Sequence, residues 1–280
     1  MPDEHKRYHE FHAEAAIFEG NLLLPFAQKI GSHTYSKLNK EGGYVNQHSQ
    51  NIRLGGAISF KSAHTHVAGN LSDKPDHGWN TLATAVIEGL NIMEIITIDR
   101  LVAQIATDHP LVGYVPTVTF LGTRFENFRV AGKPLDIELD TSMVGAKPAI
   151  DAPYTTSPAL VKNVTSQRQS LQKIKNLPPP IAKRYNQIPS AKNSPESIEC
   201  SLVKQVSGSF PGTAYGNVLD IPDFGKVYLA TLAIEHSEFN KKGTPEVTTF
   251  RLNMLELKLG CVISGDGTGG GLITNGHTKP

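Results

Sequence analysis

The chain of 280 residues is long enough for one large or two modest domains, and its hydrophobic content of 39% can supply a core. Its 27 basic and 26 acidic residues leave a net charge of +1, which excludes a general attraction to nucleic acid or to anionic membranes. We therefore expect any charge-driven partner to bind a local patch, and we do not expect nucleic acid.

The start of the chain predicts where the protein resides. The first ten residues are charged and lack the apolar stretch of a Sec-type signal peptide. The most apolar region is interrupted by Glu88, Glu94 and Asp99, so no membrane helix and no membrane partner are predicted. The sequence favours a cytoplasmic protein, or one exported without a Sec-type signal peptide.

The N-terminal third gives mixed signals. Residues 8–12 alternate in polarity and predict a first edge strand, whereas residues 13–17 fit a strand or a short helix. Residues 32–50 are polar and contain Gly42-Gly43, which predicts a loop or a loose hairpin.

The stretch from Trp79 to Asp140 is rich in β-branched and aromatic residues, which predicts long strands. Within it, Lys133–Asp140 alternates apolar and acidic residues, as a half-buried strand does. Strand patterns return after residue 196. We predict an all-β fold: a mostly antiparallel sandwich or barrel-like body with one inserted helix and a Gly-rich C-terminal tail. The predicted parts are the N-terminal β body (1–151), a basic helix with a Pro-rich linker (152–195), the rest of the same body (196–263) and the tail (264–280).

The segment from 152 to 195 contains seven basic residues and no acidic one, so it carries +7 and the remainder −6. Ser157-Pro158 is a typical N-cap and first helical residue, and apolar spacing continues to Asn176. Pro178-Pro179-Pro180 is expected to end the helix and begin an extended linker. We expect the segment to lie against an acidic face of its own β body or of a neighbouring copy. The predicted interaction patch comprises Lys162, Arg168, Lys173, Lys175, Lys183, Arg184 and Lys192.

His64-Thr65-His66 is the pattern that most favours a metal. Residues i and i+2 of a strand face the same way, so two imidazoles can share one divalent ion. The pair resembles the His-x-His of the cupin family, but the glutamate that usually follows is absent from residues 67–70. A third ligand would have to come from elsewhere, with His77, His109 and Asp76 as candidates; two solvent-facing histidines are the alternative.

The spacing of the cysteines and serines matches no motif for a disulfide framework or a catalytic nucleophile. Cys200 and Cys261 form no CxxC motif, so two reduced, buried thiols are expected, with a single bridge as the alternative. No Gly-x-Ser-x-Gly elbow occurs in an α/β context, so no catalytic residue and no cofactor are predicted.

One short pattern recurs at residues 51–56 and 127–132, where both segments read Asn, apolar, Arg, apolar, small, Gly. An internal duplication and shared strand-end chemistry both explain it.

A motif-poor β body with glycine-rich and basic extensions predicts a non-enzymatic binding or self-assembly protein. We expect a homo-oligomer in which neighbouring subunits hold the extensions, as strand addition to an exposed sheet edge would do. Two alternatives stay open. One is a metal-dependent enzyme that uses His64 and His66. The other is a small-molecule carrier, or a cyclase or isomerase, with a pocket lined by Trp79, Phe120, Phe125 and Phe128.

Overall fold

The computed structural model describes residues 8–23, 27–74, 77–186, 196–241, 243–260 and 264–279. Two antiparallel sheets pack face to face, which confirms the predicted all-β class and resolves the body as a sandwich. Sheet A runs in the spatial order β14 (Thr213–Tyr215), β15 (Val218–Ile221), β16 (Gly225–Phe239), β17 (Pro245–Gly260), β18 (Ser264–Lys279), β1 (Tyr8–Leu22) and β2 (Gln28–His33), with β12 (Ser197–Ser201) beside β16 and β3 (Ser36–Lys37) beside β1. Sheet B runs β13 (Val203–Gly208), β11 (Lys133–Leu139), β10 (Arg129–Val130), β7 (Ile96–Pro110), β6 (His77–Ile92), β5 (Ile58–Leu71) and β4 (Gly43–Leu54), with β8 (Thr117–Thr119) and β9 (Arg124–Glu126) beside β7.

The core lies between β1 and β18 of sheet A and β5, β6 and β7 of sheet B. Phe11, Ala13, Ala15 and Ile17 of β1 point inward and are buried, while the residues between them face outward. The alternation that left a strand or a helix open at residues 13–17 therefore belongs to one long strand. Residues 8–12, where an edge strand was expected, pair in a ladder with β18 alone, whereas β3 and β2 pair with the other side of β1 between residues 14 and 22.

The glycine-rich segment is not a tail. Residues 264–279 form β18, which hydrogen-bonds to β17 and β1 along its length. Its glycines let neighbouring groups approach closely: a Cβ at Gly267 would come within 2.8 Å of the Phe18 ring. Backbone pairing on both sides supplies the order that the glycine composition lacks.

The basic segment contributes two helices, α1 (Pro158–Gln172) and α2 (Pro179–Arg184). Ser157 is the N-cap residue of α1 and Pro158 is its first residue, as the sequence predicts. The prediction that Pro178-Pro179-Pro180 begins an extended linker is wrong, because α2 begins there. Proline fits the first turn of a helix, where an amide hydrogen has no partner inside the helix. Residues 187–195 lie outside the described residues.

The recurring pattern marks two hairpins. It closes β4 before β5 and β10 before β11. In both copies the asparagine and the final glycine adopt positive φ: 51° at Asn51, 54° at Asn127, 68° at Gly56 and 75° at Gly132. The shared positive φ values agree with shared strand-end chemistry, and the internal duplication stays a prediction.

Across the part of the chain that is described, no helix combines the length and apolar character needed to cross a membrane.

Candidate functional site

The most exposed ordered feature is β4, the last strand of sheet B. It spans 12 residues, and eight of the eleven from 43 to 53 are exposed, while those at 45, 49 and 52 are partly buried. Tyr44 is 74% exposed. Residues 43–53 make no backbone hydrogen bond outside the ladder with β5, as far as the described residues show. The outer edge of β4 thus presents free amide and carbonyl groups, as edge strands do.

The composition of β4 distinguishes it from ordinary protected edges. It contains no proline and no lysine, and its only charged residue is Arg53. Natural sheets usually protect an edge with charge, proline, a bulge or short length. The strands at the other ends of the two sheets have such protection: β14 has three residues, β2 carries Lys29 and β13 carries Lys204.

The sequence analysis missed this strand because its period-2 signal is absent. Residues 46–50 read Asn-Gln-His-Ser-Gln, with no apolar alternation. Between residues 43 and 53, only Val45 and Ile52 pack against the core, and the polar residues between them give no apolar alternation. The usable signal was indirect: an uncharged polar run without glycine or proline, next to a β-hairpin.

His64 and His66 lie on the outer face of sheet B, as the strand spacing predicts. His64 is exposed and stands opposite His48 of β4, while Nδ1 of His66 contacts Oδ1 of Asn46. Partial burial, with Arg100 nearby, lowers the pKa of His64. The metal site stays a prediction.

Two of the three candidate third ligands are placed by the structure. His77 bonds through Nδ1 to Oδ2 of Asp108 at 2.7 Å. His109 is buried between the sheets, on the face opposite His64 and His66, so its side chain does not reach them. Asp76 lies outside the described residues.

One group of three potential ligands is found among the described residues: Glu238, Glu246 and His277, on the outer face of sheet A. The two ring nitrogens of His277 face different carboxylates, at 3.6 Å from Glu238 and 3.7 Å from Glu246. Exposed acidic groups of this kind are common without a metal.

The basic segment docks on its own β body through its two arginines. The Arg184 guanidinium binds both carboxylate oxygens of Glu256, at 2.9 and 2.7 Å, and Oε1 of Glu199 at 2.7 Å. It also lies 4.3 Å from the centre of the Tyr228 ring. Burial lowers the pKa of Arg184, but these hydrogen bonds outweigh that effect and raise it.

Arg168 is buried, and its Nη2 donates to the carbonyl of Glu199 at 2.7 Å. The four described lysines of the predicted patch are exposed and form no ion pair with a described residue. They are Lys162, Lys173, Lys175 and Lys183. Lys192 lies outside the described residues. The two arginines therefore hold the segment in place, while the lysines face solvent.

The aromatic residues of the predicted pocket lie in or against the core. Phe120 and Phe128 are 1% and 2% exposed, Trp79 is 8% exposed, and Phe125 packs edge-on against Phe128 at 5.7 Å. Phe125 and Phe128 also line an open depression of about 430 Å³ on the surface.

Two larger depressions are polar. One, of about 490 Å³, lies between α1 and β13 and is lined by side-chain amides and hydroxyls such as Asn163 and Ser166. The other, of about 530 Å³, lies on the outer face of sheet A between Lys29 and Lys258. Both are shallow and open, so neither encloses a small molecule as most ligand pockets do.

The fold and its free edge define the molecule as a two-sheet antiparallel β-sandwich protein with one long unprotected strand. The chain belongs to the family described as domain of unknown function DUF8256, whose family model matches residues 9–235. That match ends within β16 and leaves out β17 and β18, which connect β16 to β1 in sheet A. No curated protein matches the chain, and no solved structure matches it.

Proposed function

We propose that the protein is a non-enzymatic assembly protein whose chains associate in pairs through the β4 edge. The observation that supports this most directly is the 12-residue β4 strand, which is largely exposed and nearly uncharged, and whose outer side pairs with no strand in the described part of the chain. A strand with free backbone groups and no protecting charge is a template for another strand. Assembly satisfies those groups without any change in the fold.

The partner that fits this edge best is a second copy of the same chain. A two-fold axis beside β4 would set the two β4 strands antiparallel and join two B sheets into one continuous sheet. The edge is suited to self-pairing because residues 46–50 are uncharged polar side chains, which meet their own copies without like-charge repulsion.

The proposal is tested by adding positive charge to the β4 edge. His48 and Gln50 are exposed on the outer face of β4, so His48→Lys/Gln50→Lys would put four ammonium groups on one face of the paired strands. We expect the wild-type chain to form a dimer of twice 30.4 kDa. The variant should weaken dimerisation by about tenfold or more. Size-exclusion chromatography with light scattering, run over a range of protein concentrations, measures both.

A matched control carries the same added charge elsewhere. Gln169→Lys/Gln172→Lys places two lysines on exposed positions of α1, away from the sheet edges, and should leave the dimer intact. A monomeric wild-type chain at about 100 µM, or equal dimerisation of both double variants, would contradict the proposal. Deleting residues 265–280 is not a useful test, because it removes β18 from the middle of sheet A.

A further inference from the structure

A group of buried polar side chains lies between the two sheets at one end of the sandwich. His9 and Thr278 are paired across β1 and β18 of sheet A, and Trp79 and His109 are paired across β6 and β7 of sheet B. The His9 ring stacks on Trp79 at 5.1 Å and lies 4.4 Å from the His109 ring. We refer to His9 and His109 as the buried histidine pair.

The buried histidine pair lacks hydrogen-bond partners. His9 and His109 are 7% and 1% exposed, yet Nε2 of His9 and both ring nitrogens of His109 have no partner among the described residues. The hydroxyls of Thr81, Thr107 and Thr274, which are also buried, have none either. Buried polar atoms in native proteins are almost always satisfied, so a set this dense indicates an occupant.

The hydrogen bond that His9 makes determines which of its two ring nitrogens stays free. Nδ1 of His9 lies 3.0 Å from Oγ1 of Thr278, so the Nδ1–H can donate there and leave the Nε2 lone pair directed into the interior. Histidines that bind metals are commonly oriented in this way by a bond at the other nitrogen. Burial also lowers the pKa of both imidazoles, to about 4 at His9, so both are neutral at pH 7.

The Nε2 atoms of His9 and His109 both lie beside Gly276. A Cβ at this position would lie 2.9 Å from Nε2 of His109 and closer still to Nε2 of His9. Both nitrogens are therefore less than 3 Å from one point and less than 6 Å from each other. Only glycine leaves this position clear.

The side chains around the buried histidine pair limit the charge that a bound ion can carry. The side chains named around the pair are imidazoles, hydroxyls and an indole, with no carboxylate or thiolate. The ammonium of Lys147, which is paired with Asp151 at 3.7 Å, acts on His109. The carboxylate of Glu10, which is paired with Lys279 at 2.7 Å on the outer face of β1, acts on His9. The cost of burying an ion grows with the square of its charge, so a monovalent ion is far less costly here than a divalent one. Imidazole nitrogen suits zinc, copper, iron and nickel, and copper is the one of these that proteins bind as a monovalent ion.

We propose that His9 and His109 bind a cuprous ion through their Nε2 atoms. Two neutral nitrogen ligands from opposite sheets would clamp the ion between β1 and β7, and the threonine hydroxyls would line the space around it. The site is independent of the β4 edge and of His64 and His66, which face solvent on the other side of sheet B.

The test uses full-length protein stripped of metal with a chelator and then titrated anaerobically with Cu(I) against bicinchoninate. We expect one tightly held copper per chain, with nitrogen ligands in X-ray absorption spectra. His109→Gln should lose this copper, while His64→Gln/His66→Gln should keep it. Thr278→Val, which leaves both imidazoles but removes the bond that orients His9, should weaken binding by about 10- to 100-fold.

Thr278→Val also keeps the test decisive if His109→Gln does not fold, since circular dichroism can confirm that this milder variant is folded. Four results would overturn the proposal: no copper retained by the wild-type chain, equal retention in the Thr278→Val variant, sulfur ligands from Cys200 or Cys261, or stoichiometric Zn²⁺ binding in preference to Cu(I). The first of these would leave ordered water as the occupant of the polar space.

Discussion

Acidification from pH 6.5 to pH 4 is expected to destabilise the protein through His236. This imidazole is 4% exposed; its Nε2 accepts the amide hydrogen of Tyr154 at 2.9 Å and its Nδ1 lies 3.1 Å from Oγ1 of Thr248. Burial lowers the pKa of His236 from 6.5 to about 4. Protonation would remove the lone pair that the Tyr154 amide needs, and would place a charge in the core.

The direction of this change in stability follows from comparing proton binding by His236 in the unfolded and the native chain. Below pH 6.5 the unfolded chain takes up a proton on His236 that the native chain takes up only near pH 4. The free energy of unfolding should therefore be insensitive to this group above pH 7, fall as pH drops from 6.5 to 4, and level off below. One group shifted by this much contributes about 3 kcal/mol.

Urea unfolding of metal-stripped protein at a series of pH values measures the effect. Wild type and His236→Gln should differ in slope between pH 6.5 and 4.5, because only the wild type titrates at this site. His9 and His109 act in the same direction in both proteins, so the difference between the profiles isolates His236. The hydrogen bond to Lys279 lowers the pKa of Glu10 from its ordinary value of 4.5, so protonation of this carboxylate affects stability only at lower pH. Parallel profiles would refute the prediction.

The second large effect is expected at Arg184. Replacing it with alanine takes from Glu199 and Glu256 the guanidinium that both bind, and leaves Glu256 only the half-exposed ammonium of Lys258 at 3.7 Å. The change also removes the contact with the Tyr228 ring and this link between α2 and sheet A. Removing one partner of a buried ion pair costs about 3–5 kcal/mol, because the other charge stays buried without its partner. The partial exposure of the Arg184, Glu199 and Glu256 side chains reduces that cost. We expect Arg184→Ala to lower the free energy of unfolding by about 2–4 kcal/mol.

Two further variants test the cause. Arg184→Lys keeps the charge but loses the planar fork that binds both oxygens of Glu256, so most of the loss should remain. Lys183→Ala removes an adjacent, exposed cation and should change stability by less than about 0.5 kcal/mol. If Arg184→Ala and Lys183→Ala unfold at the same urea concentration, the ion-pair network does not hold α2.

The expectation that the basic segment lies against an acidic face was made from charge alone, and the Arg184 contacts with Glu199 and Glu256 agree with it. Charge counting identified the imbalance between the segment and the rest of the chain. It could not identify the partners, because Glu256 lies 72 positions from Arg184 and in a different strand pattern.

The amino-acid sequence by itself determined the strand-rich class, the alternation of β11, the start of α1 at Ser157-Pro158 and the same-face placement of His64 and His66. Each depends on short-range periodicity or local turn chemistry, which a few neighbouring residues specify. Only the tertiary structure decided that β18 is a central strand, that β4 is an exposed edge, and that His9 and His109 meet. Those outcomes depend on which strands pair and pack across the sandwich, and residues 100 positions apart on the chain carry no local record of that contact.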